Sequence, residues 1–439
     1  MPTYPTLMKI DSRFIKQVRK EFPGAEIDPY GRERAFLDNG AGTLVAIRSA
    51  QRESIARIDW SANVGNVFIE SKGAEDTILE GRQSVADLLN AENPDTIISG
   101  ESATSLLFGL SYALGKEFTG RENVVTSGFE HYTNINPWVE LGTNGKIKEL
   151  RFAEFDMDTG ELDSKKIESL IDSDTKVVSV TAASNVLGSR TDLKKIAKIA
   201  RDAGAYFVVD AVHHIAHGPT DVRSIKCDAL IFSGYKLFSR HGSFMYMKPD
   251  LMEKLSPYKV LSSPKHGPGK WEMGTRDQAM FAAITGAIDY ISWIGNPSAK
   301  YPPNPGKQRM SRLAKAFKAI EEYEEHLSTL ALNGRGRLKG LNDIPGLTLF
   351  GPKGINPKIG RDPTFSFKFD GMADRSVSKI LWDKYALAVG AEDYFSRVPA
   401  LYKADTMLRA TFVHYNTEKE VIALLKALNE IASKGKKKR

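Results

Sequence analysis

One lysine sits where an amine could do chemistry. The run Ala229-Leu230-Ile231-Phe232 has the composition of a buried strand, and it ends in Ser233-Gly234-Tyr235-Lys236. A lysine among apolar and aromatic neighbours must pair, snorkel to the surface or lose its charge. In the last case its neutral amine suits a Schiff base with a carbonyl cofactor. Taken alone, snorkelling is the simpler account. A second group changes that balance. Tyr206-Phe207-Val208-Val209-Asp210 is another apolar run, and it ends in a carboxylate. An aspartate there serves equally as a turn cap. In a parallel sheet, however, both strand ends reach one edge, where ligands bind. A carboxylate facing a pyridinium nitrogen would keep that ring protonated as an electron sink, while the lysine supplies the Schiff base.

Other stretches could complete such a site. Gly100-Glu101-Ser102-Ala103-Thr104 precedes a helix read over residues 105–114, where free N–H groups and hydroxyls could hold a phosphate or simply cap the helix. Glu130-His131-Tyr132 offers a ring that could stack on a planar cofactor. Asn185, in Ser184-Asn185-Val186-Leu187-Gly188, could bond a phenolic oxygen. Plain loop roles account for both stretches equally well. His213-His214-Ile215-Ala216-His217 has an i, i+4 histidine pair. It lacks the glutamate of an HExxH site and shows no third ligand, so stacking or hydrogen bonding by His213 is expected and no metal. Gly109 and Gly115-Lys116 lie one residue too far apart for a Walker loop, with Glu117 where Ser or Thr is needed. No GxGxxG follows an early strand, which disfavours a dinucleotide fold.

The elements that must position these residues read as an α/β protein. Strands are expected at residues 96–99, 123–126, 147–152, 176–181, 206–210, 229–233 and 243–247, with helices such as 193–203 between them. That alternation predicts a mainly parallel seven-stranded sheet flanked by helices. Helices are also expected over 11–22 and 74–91. Beyond Pro302-Pro303-Asn304-Pro305 the pattern becomes a long helix over 307–333. Strands follow near 347–350, 364–369, 387–389 and 408–414, with helices at 373–384 and 417–432. This reads as a smaller α+β unit. The expected division is an N-terminal segment 1–29 packing with the small domain, a large cofactor-binding domain 30–296, a small domain 297–432 and a basic tail 433–439.

Composition sets the class. The chain has 439 residues, 41% hydrophobic and 26% charged, as in ordinary globular proteins. Its net charge of +7 comes largely from the last seven residues, five of them basic, so no nucleic-acid partner is expected. No run is long enough to span a bilayer, and Met1-Pro2-Thr3-Tyr4-Pro5 is not a signal peptide, so a membrane role and export are not expected. One cysteine, Cys227, excludes an internal disulfide and fits a cytoplasmic location.

With these residues placed, the chain resembles the class V aminotransferase family of pyridoxal-phosphate enzymes, and within it a cysteine desulfurase-like subgroup. The resemblance rests on Glu130-His131, Ser184-Asn185-Val186-Leu187-Gly188, Val209-Asp210-Ala211 and Ser233-Gly234-Tyr235-Lys236. It rests also on Asp210-Ala211-Val212-His213-His214 with His217-Gly218-Pro219, and on His241-Gly242. It implies pyridoxal 5′-phosphate as cofactor, with Lys236 as the Schiff-base lysine, Asp210 at the pyridine nitrogen and His131 stacked on the ring. Asn185 would meet the phenolic oxygen, and His213 stands where desulfurases have a glutamine. Ala103, Thr104, Ser233 and Tyr235 would hold the phosphate. Thr275, in Glu272-Met273-Gly274-Thr275, would be lent by a second subunit, implying a homodimer. Arg409 would grip the carboxylate of an amino-acid substrate, a bidentate task suited to guanidinium, with Asn39 and Asp393 as further substrate contacts.

The resemblance also implies a nucleophilic cysteine that this chain lacks. The matching loop reads Gly390-Ala391-Glu392-Asp393-Tyr394-Phe395, and Cys227 precedes the strand whose far end carries Lys236. Transfer of sulfur as a persulfide is therefore not expected, since no thiolate is placed to attack. Lyase-type chemistry through a Cα carbanion is favoured, with aminotransferase or epimerase activity as the alternative, and Asp393 or Tyr394 in that loop could act as a second acid. A nonenzymatic role is opposed by the joint presence of Lys236, Asp210 and Arg409.

Overall fold

The computed structural model describes residues 9–436. Its principal helices are α1 Phe14–Lys20, α2 Ile47–Asp59, α3 Ile69–Leu89, α4 Ala103–Gly115 and α5 Leu193–Asp202, followed by α6 Gln278–Gly295, α7 Lys307–Asn333, α8 Asp374–Tyr385 and α9 Glu418–Lys436. The large sheet holds β1 Ile97–Gly100, β2 Asn123–Ser127, β3 Glu149–Ala153, β4 Thr175–Thr181, β5 Tyr206–Asp210, β6 Ala229–Ser233 and β7 Ser243–Met247. Their spatial order is β1-β7-β6-β5-β4-β2-β3. β7 alone runs against its neighbours. Its link to β6, residues 234–242, is too short for the crossover that a parallel pair needs. Strands β2, β6 and β7 are buried at every position, which is why their sequences read as continuous apolar or β-branched runs.

The smaller sheet holds β8 Leu347–Phe350, β9 Thr364–Phe369, β10 Gly390–Glu392 and β11 Met407–Thr411, in the order β8-β9-β11-β10, all antiparallel. A separate apolar core lies under it, built from Phe365, Phe367 and Leu408 with Leu381 of α8 and Leu424 and Leu428 of α9. The segment before α2 is stitched to the small unit, where the first strand-like residues meet the last ones. Ala35 and Phe36 pair with Leu387 and Ala388. The Thr411 N–H donates to the Leu37 carbonyl at 2.7 Å.

Several elements depart from the sequence reading, each for a physical reason. The sequence showed no helix at α6, which buries nearly all its residues and so presents no polar stripe. The helix expected over 74–91 begins at Ile69, where Ile69 is exposed and breaks the apolar pattern. The segment 387–389 divides, Leu387 and Ala388 pairing with residues 35–36 while 390–392 join the small sheet. Helix α9 continues to Lys436, into the expected basic tail. Lys434 pairs with Glu430 one turn back at 2.7 Å, and cations suit a helix C-terminus. Tail residues 437–439 and leading residues 1–8 lie outside the described chain. Helix α1 and the residues after it touch both units. Arg19 donates to the Tyr415 carbonyl at 2.8 Å, and the Phe22 ring lies 4.5 Å from Tyr415 and 5.2 Å from Tyr290.

Candidate active site

The C-terminal ends of β2, β4, β5 and β6 deliver Glu130-His131, Asn185, Asp210 and Lys236 to one edge of the large sheet. The N-terminus of α4 and Arg409 of β11 close the space above it. They enclose a cavity of about 210 Å³ lined by Ala103, Thr104, His131, Asn185, Asp210, His213, Ser233, Tyr235, Lys236 and Arg409. Gly40, Glu392 and Tyr394 line it as well. A larger surface groove between α1, α7 and α9 is walled by solvated charges such as Lys16, Glu322 and Lys419, and brings none of these groups together.

Lys236 follows β6 on a single tight turn, and its Nζ donates to the Gly40 carbonyl. Burial and the neighbouring Arg409 charge push its pKa down to about 7, against the pull of Asp38 and Asp210. Asp210 ends β5, and one carboxylate oxygen accepts the Val212 N–H at 2.9 Å. Burial pushes its carboxyl up to about 6, against that hydrogen bond and the Lys236 charge. His131 accepts the Thr133 N–H on Nδ1 at 3.0 Å. Burial, together with the charges of Lys236 and Arg409, lowers its pKa to about 4, so the ring is neutral near pH 7. Glu130, fully buried, anchors this turn by accepting the Asn134 amide at 2.7 Å and the Thr181 N–H at 3.0 Å.

At the head of α4 the Ser102 side chain caps the Ser105 N–H at 3.0 Å. That leaves the Ala103 and Thr104 N–H groups without partners among the described residues, on residues that line the cavity. Ser233 Oγ shares a hydrogen bond with Ser243 at 2.7 Å, and the Tyr235 ring stacks on His241 at 4.7 Å. These donors, a carboxylate, a poised amine and a neutral imidazole are the set that a phosphorylated pyridine aldehyde requires, so the residues fit it.

The substrate side is less as the sequence suggested. Arg409, 2% exposed, donates through Nη1 to the Asn185 carbonyl at 2.9 Å, and its Nε has no partner among the described residues. Asn39 is not at the cavity. Its amide donates to the Thr411 carbonyl at 2.7 Å and to Asn416 at 3.1 Å, and it accepts from the Tyr415 hydroxyl, so it ties the loop after Phe36 to the end of β11 and the turn before α9. Asp393 is exposed and caps its own turn at the Phe395 N–H, 3.1 Å away, while the neighbouring Glu392 and Tyr394 face the cavity. Thr275 is exposed and does not line its own chain's cavity. The Asn185 amide donates to the Tyr394 carbonyl at 3.0 Å. Asp38, which the sequence reading missed, places a carboxylate 3.4 Å from Arg409. The glycine-rich loop after Phe36 was the available signal.

The histidine cluster gains the third partner that the sequence did not reveal. His213, His217 and Asp362 bring ligand atoms within 4.8 Å of one another. Asp362 is already engaged, accepting Arg190 Nε at 2.7 Å and pairing with His214 Nδ1 at 3.0 Å. His217 pairs with Glu324 of α7 at 2.8 Å, and His213 bonds Thr364 at 2.9 Å. A guanidinium on the same carboxylate opposes a cation, so the cluster is a buried charge network. Burial pushes the Asp362 carboxyl up, but the charges of His214 and Arg190 outweigh it and hold it well below the usual range.

The lowered Lys236 pKa makes a testable prediction. Only a neutral amine attacks an aldehyde, so the protein freed of cofactor should capture pyridoxal phosphate faster as pH rises, with an inflection near 7 instead of near the ordinary lysine value of 10.5. Stopped-flow absorbance between pH 5.5 and 9 measures this. A rate still climbing steeply at pH 9 would count against the buried environment of Lys236.

Comparison with known proteins agrees with this geometry. The family model described as aminotransferase class-V matches residues 35–424. A cysteine desulfurase from Enterobacter sp. (strain 638) is 27% identical over 433 residues, covering 95% of this chain and 98% of that protein. One from Pectobacterium atrosepticum is 26% identical over 436 residues, with 95% and 98% covered. Among solved structures, the apo cysteine desulfurase from Thermococcus onnurineus NA1 superposes with a TM-score of 0.81 at 24% identity, covering 95% of this chain and 98% of that one. The Escherichia coli cysteine desulfurase CsdA in its S-sulfonic acid form gives 0.78 at 22% identity, with 96% and 98% covered. At these identities the structural likeness speaks for the fold.

Proposed function

The chain belongs to the aminotransferase class-V family, whose enzymes use pyridoxal 5′-phosphate, and we propose that it is a lyase acting on an amino acid without persulfide transfer, with aminotransferase or epimerase activity as the alternative. The observation that carries the reading is a cavity that gathers Lys236, Asp210 and Arg409 but no thiol. The loop 390–396 has no cysteine. Cys227 is 1% exposed at the start of β6, away from Lys236 at its other end, and burial pushes its pKa up, so it holds no thiolate for attack.

When bound, the cofactor supplies an electron sink that weakens the bonds to the substrate Cα. Asp210 would hold the proton on the ring nitrogen, His131 would cover the ring face, and Asn185 and His213 would border it. Ala103, Thr104, Ser233 and Tyr235 would hold the phosphate, with Thr275 lent across a homodimer. Arg409 would grip the substrate carboxylate and so fix which Cα bond faces Lys236. The Lys236 amine, with a pKa near 7, would take the proton from Cα and return it. Asn39 supports Arg409's strand at Thr411 and does not touch substrate in this reading. Asp393 stays at the rim.

The homodimer has independent support in exposed apolar side chains. Ile58 of α2 is 74% exposed, Val67 before α3 is 94% exposed, and Met273 beside Thr275 is 74% exposed. No helix among the described residues is long and apolar enough to cross a membrane. A large domain over 30–296 and a small one over 297–432 remain our proposed division, with residues 35–37 packing in the small unit's core and the first half of α7 in the large one's.

The test is product analysis of the holoenzyme given L-cysteine and other small amino acids, by mass spectrometry. Release of the β substituent as sulfide, with no mass added at Cys227, is expected. Stoichiometric persulfide on Cys227 would overturn the reading. A keto acid with its amine left on the enzyme would make it an aminotransferase. Exchange of the Cα hydrogen with inversion would make it an epimerase.

A further inference from the structure

We infer that Tyr394 is the positioning residue that holds Arg409 ready for a carboxylate, and thereby sets the preference for amino acids over simple amines. The inference rests on the substrate-gripping reading of Arg409. Among the described residues the guanidinium makes two polar contacts, Nη1 to the Asn185 carbonyl at 2.9 Å and Nη2 to Asp38 at 3.4 Å. The second is long, and Nε has no partner among the described residues. Two contacts of this kind leave the guanidinium plane free to tilt. The Tyr394 ring removes that freedom, because the Arg409 Cζ lies 3.8 Å from its centroid.

The ring itself is held at both ends. Its hydroxyl donates to the Met407 carbonyl at 2.8 Å, two residues before Arg409 on the same strand. Its own carbonyl accepts the Asn185 amide at 3.0 Å. Tyr394, Asn185 and Arg409 thus form a closed circuit. The backbone turns the ring inward at a cost, with φ of 58° at Tyr394 and 51° at Phe395, values that side chains with a Cβ seldom adopt. The next residues pin that turn, since the Phe395 carbonyl accepts the Tyr132 N–H at 2.7 Å and Ser396 Oγ donates to the Glu130 carbonyl at 3.0 Å.

An aromatic face is the right partner for this task. It attracts the guanidinium without a formal charge, so the cation stays available to an anion. A carboxylate in the same place would compete with the substrate for it.

The test uses the holoenzyme and its visible cofactor band, titrated with L-alanine and with ethylamine, which lacks the carboxylate. In Tyr394→Leu the half-saturating L-alanine concentration should rise about tenfold while that for ethylamine stays put, the loss expected of a desolvated cation–π contact. Tyr394→Phe, which keeps the ring and drops the hydroxyl, should restore most of the affinity for L-alanine. If the leucine variant fails to load cofactor, Tyr394→Met takes its place. An unchanged L-alanine titration, an equal weakening for both ligands, or a phenylalanine variant as weak as leucine would each overturn the role of Tyr394. A wild-type enzyme that does not discriminate L-alanine from ethylamine would instead overturn the reading of Arg409.

Discussion

Lys236→Ala should fold, yet lose covalent hold of its cofactor and essentially all turnover. Loss of the proton transfer alone is worth about 10²–10⁴-fold, and loss of covalent attachment adds to it. The variant should not lose stability in the cofactor-free state. The wild-type amine is buried, and its pKa is lowered to about 7. The sign follows from linkage. In the cofactor-free protein the folded-state pKa lies below the unfolded one, so the lysine weakens the fold at pH below 7. That penalty fades as pH rises from 7 towards 10.5. The alanine variant should therefore be at least as stable as wild type at pH 6, with a smaller gain between pH 7 and 10. Dialysis after borohydride treatment, followed by absorbance and intact mass, measures attachment. A variant that still carries fixed cofactor would show that another amine does the work.

The second large effect lies away from the chemistry. Asp362→Ala should cost about 3–5 kcal/mol, because it takes a fully buried carboxylate away from buried His214 and from half-buried Arg190, which keeps only Glu321 at 2.7 Å. Asp362 is fully buried and takes Arg190 at 2.7 Å and His214 at 3.0 Å. Asp202→Ala is the control. It removes an i, i+4 pair with Lys198 in which both side chains are more than half exposed, and should cost well under about 1 kcal/mol. Urea unfolding of the cofactor-free proteins compares the two. A loss at Asp362 no larger than at Asp202 would mean that the network relaxes freely, and the metal reading of the histidine cluster would then merit a direct titration with zinc.

Much of this site was legible because the fold writes it locally. Asp210 and Lys236 each end an apolar strand, and parallel strands bring such ends to one edge. The capping box at Ser102 was likewise visible as a short string of hydroxyl residues. What could not be read depends on partners far apart in the chain. Asp362 meets His214 across 148 residues, and nothing in the spacing of His213 and His217 points to it. Asn39 looked like a ligand-facing loop residue, but its partners Thr411 and Asn416 come from the other end of the chain. Tyr394 stood out as a candidate second acid in a loop without cysteine, and nothing in the sequence tied it to Arg409. Its role needs the Arg409 side chain, whose direction is fixed by pairing Gly390 opposite Arg409. Helix α6 stayed hidden because burial on every side erases the amphipathic pattern that betrays a helix.

The stitching of residues 35–41 to residues 386–411 has a consequence for how the molecule is made. Leu37 receives the Thr411 N–H, and the carbonyl of Gly40 receives the amine of Lys236. A chain synthesised from its N-terminus can assemble the large sheet while its last quarter is still absent, but β11 and Arg409 arrive near the end. Until then the loop around Gly40 can rest on Lys236 and Tyr235 but not on β11, and one wall of the cavity is missing. Closing this contact is a loop closure over most of the described chain, and the wall of the cavity that carries Arg409 is in place only once it is made.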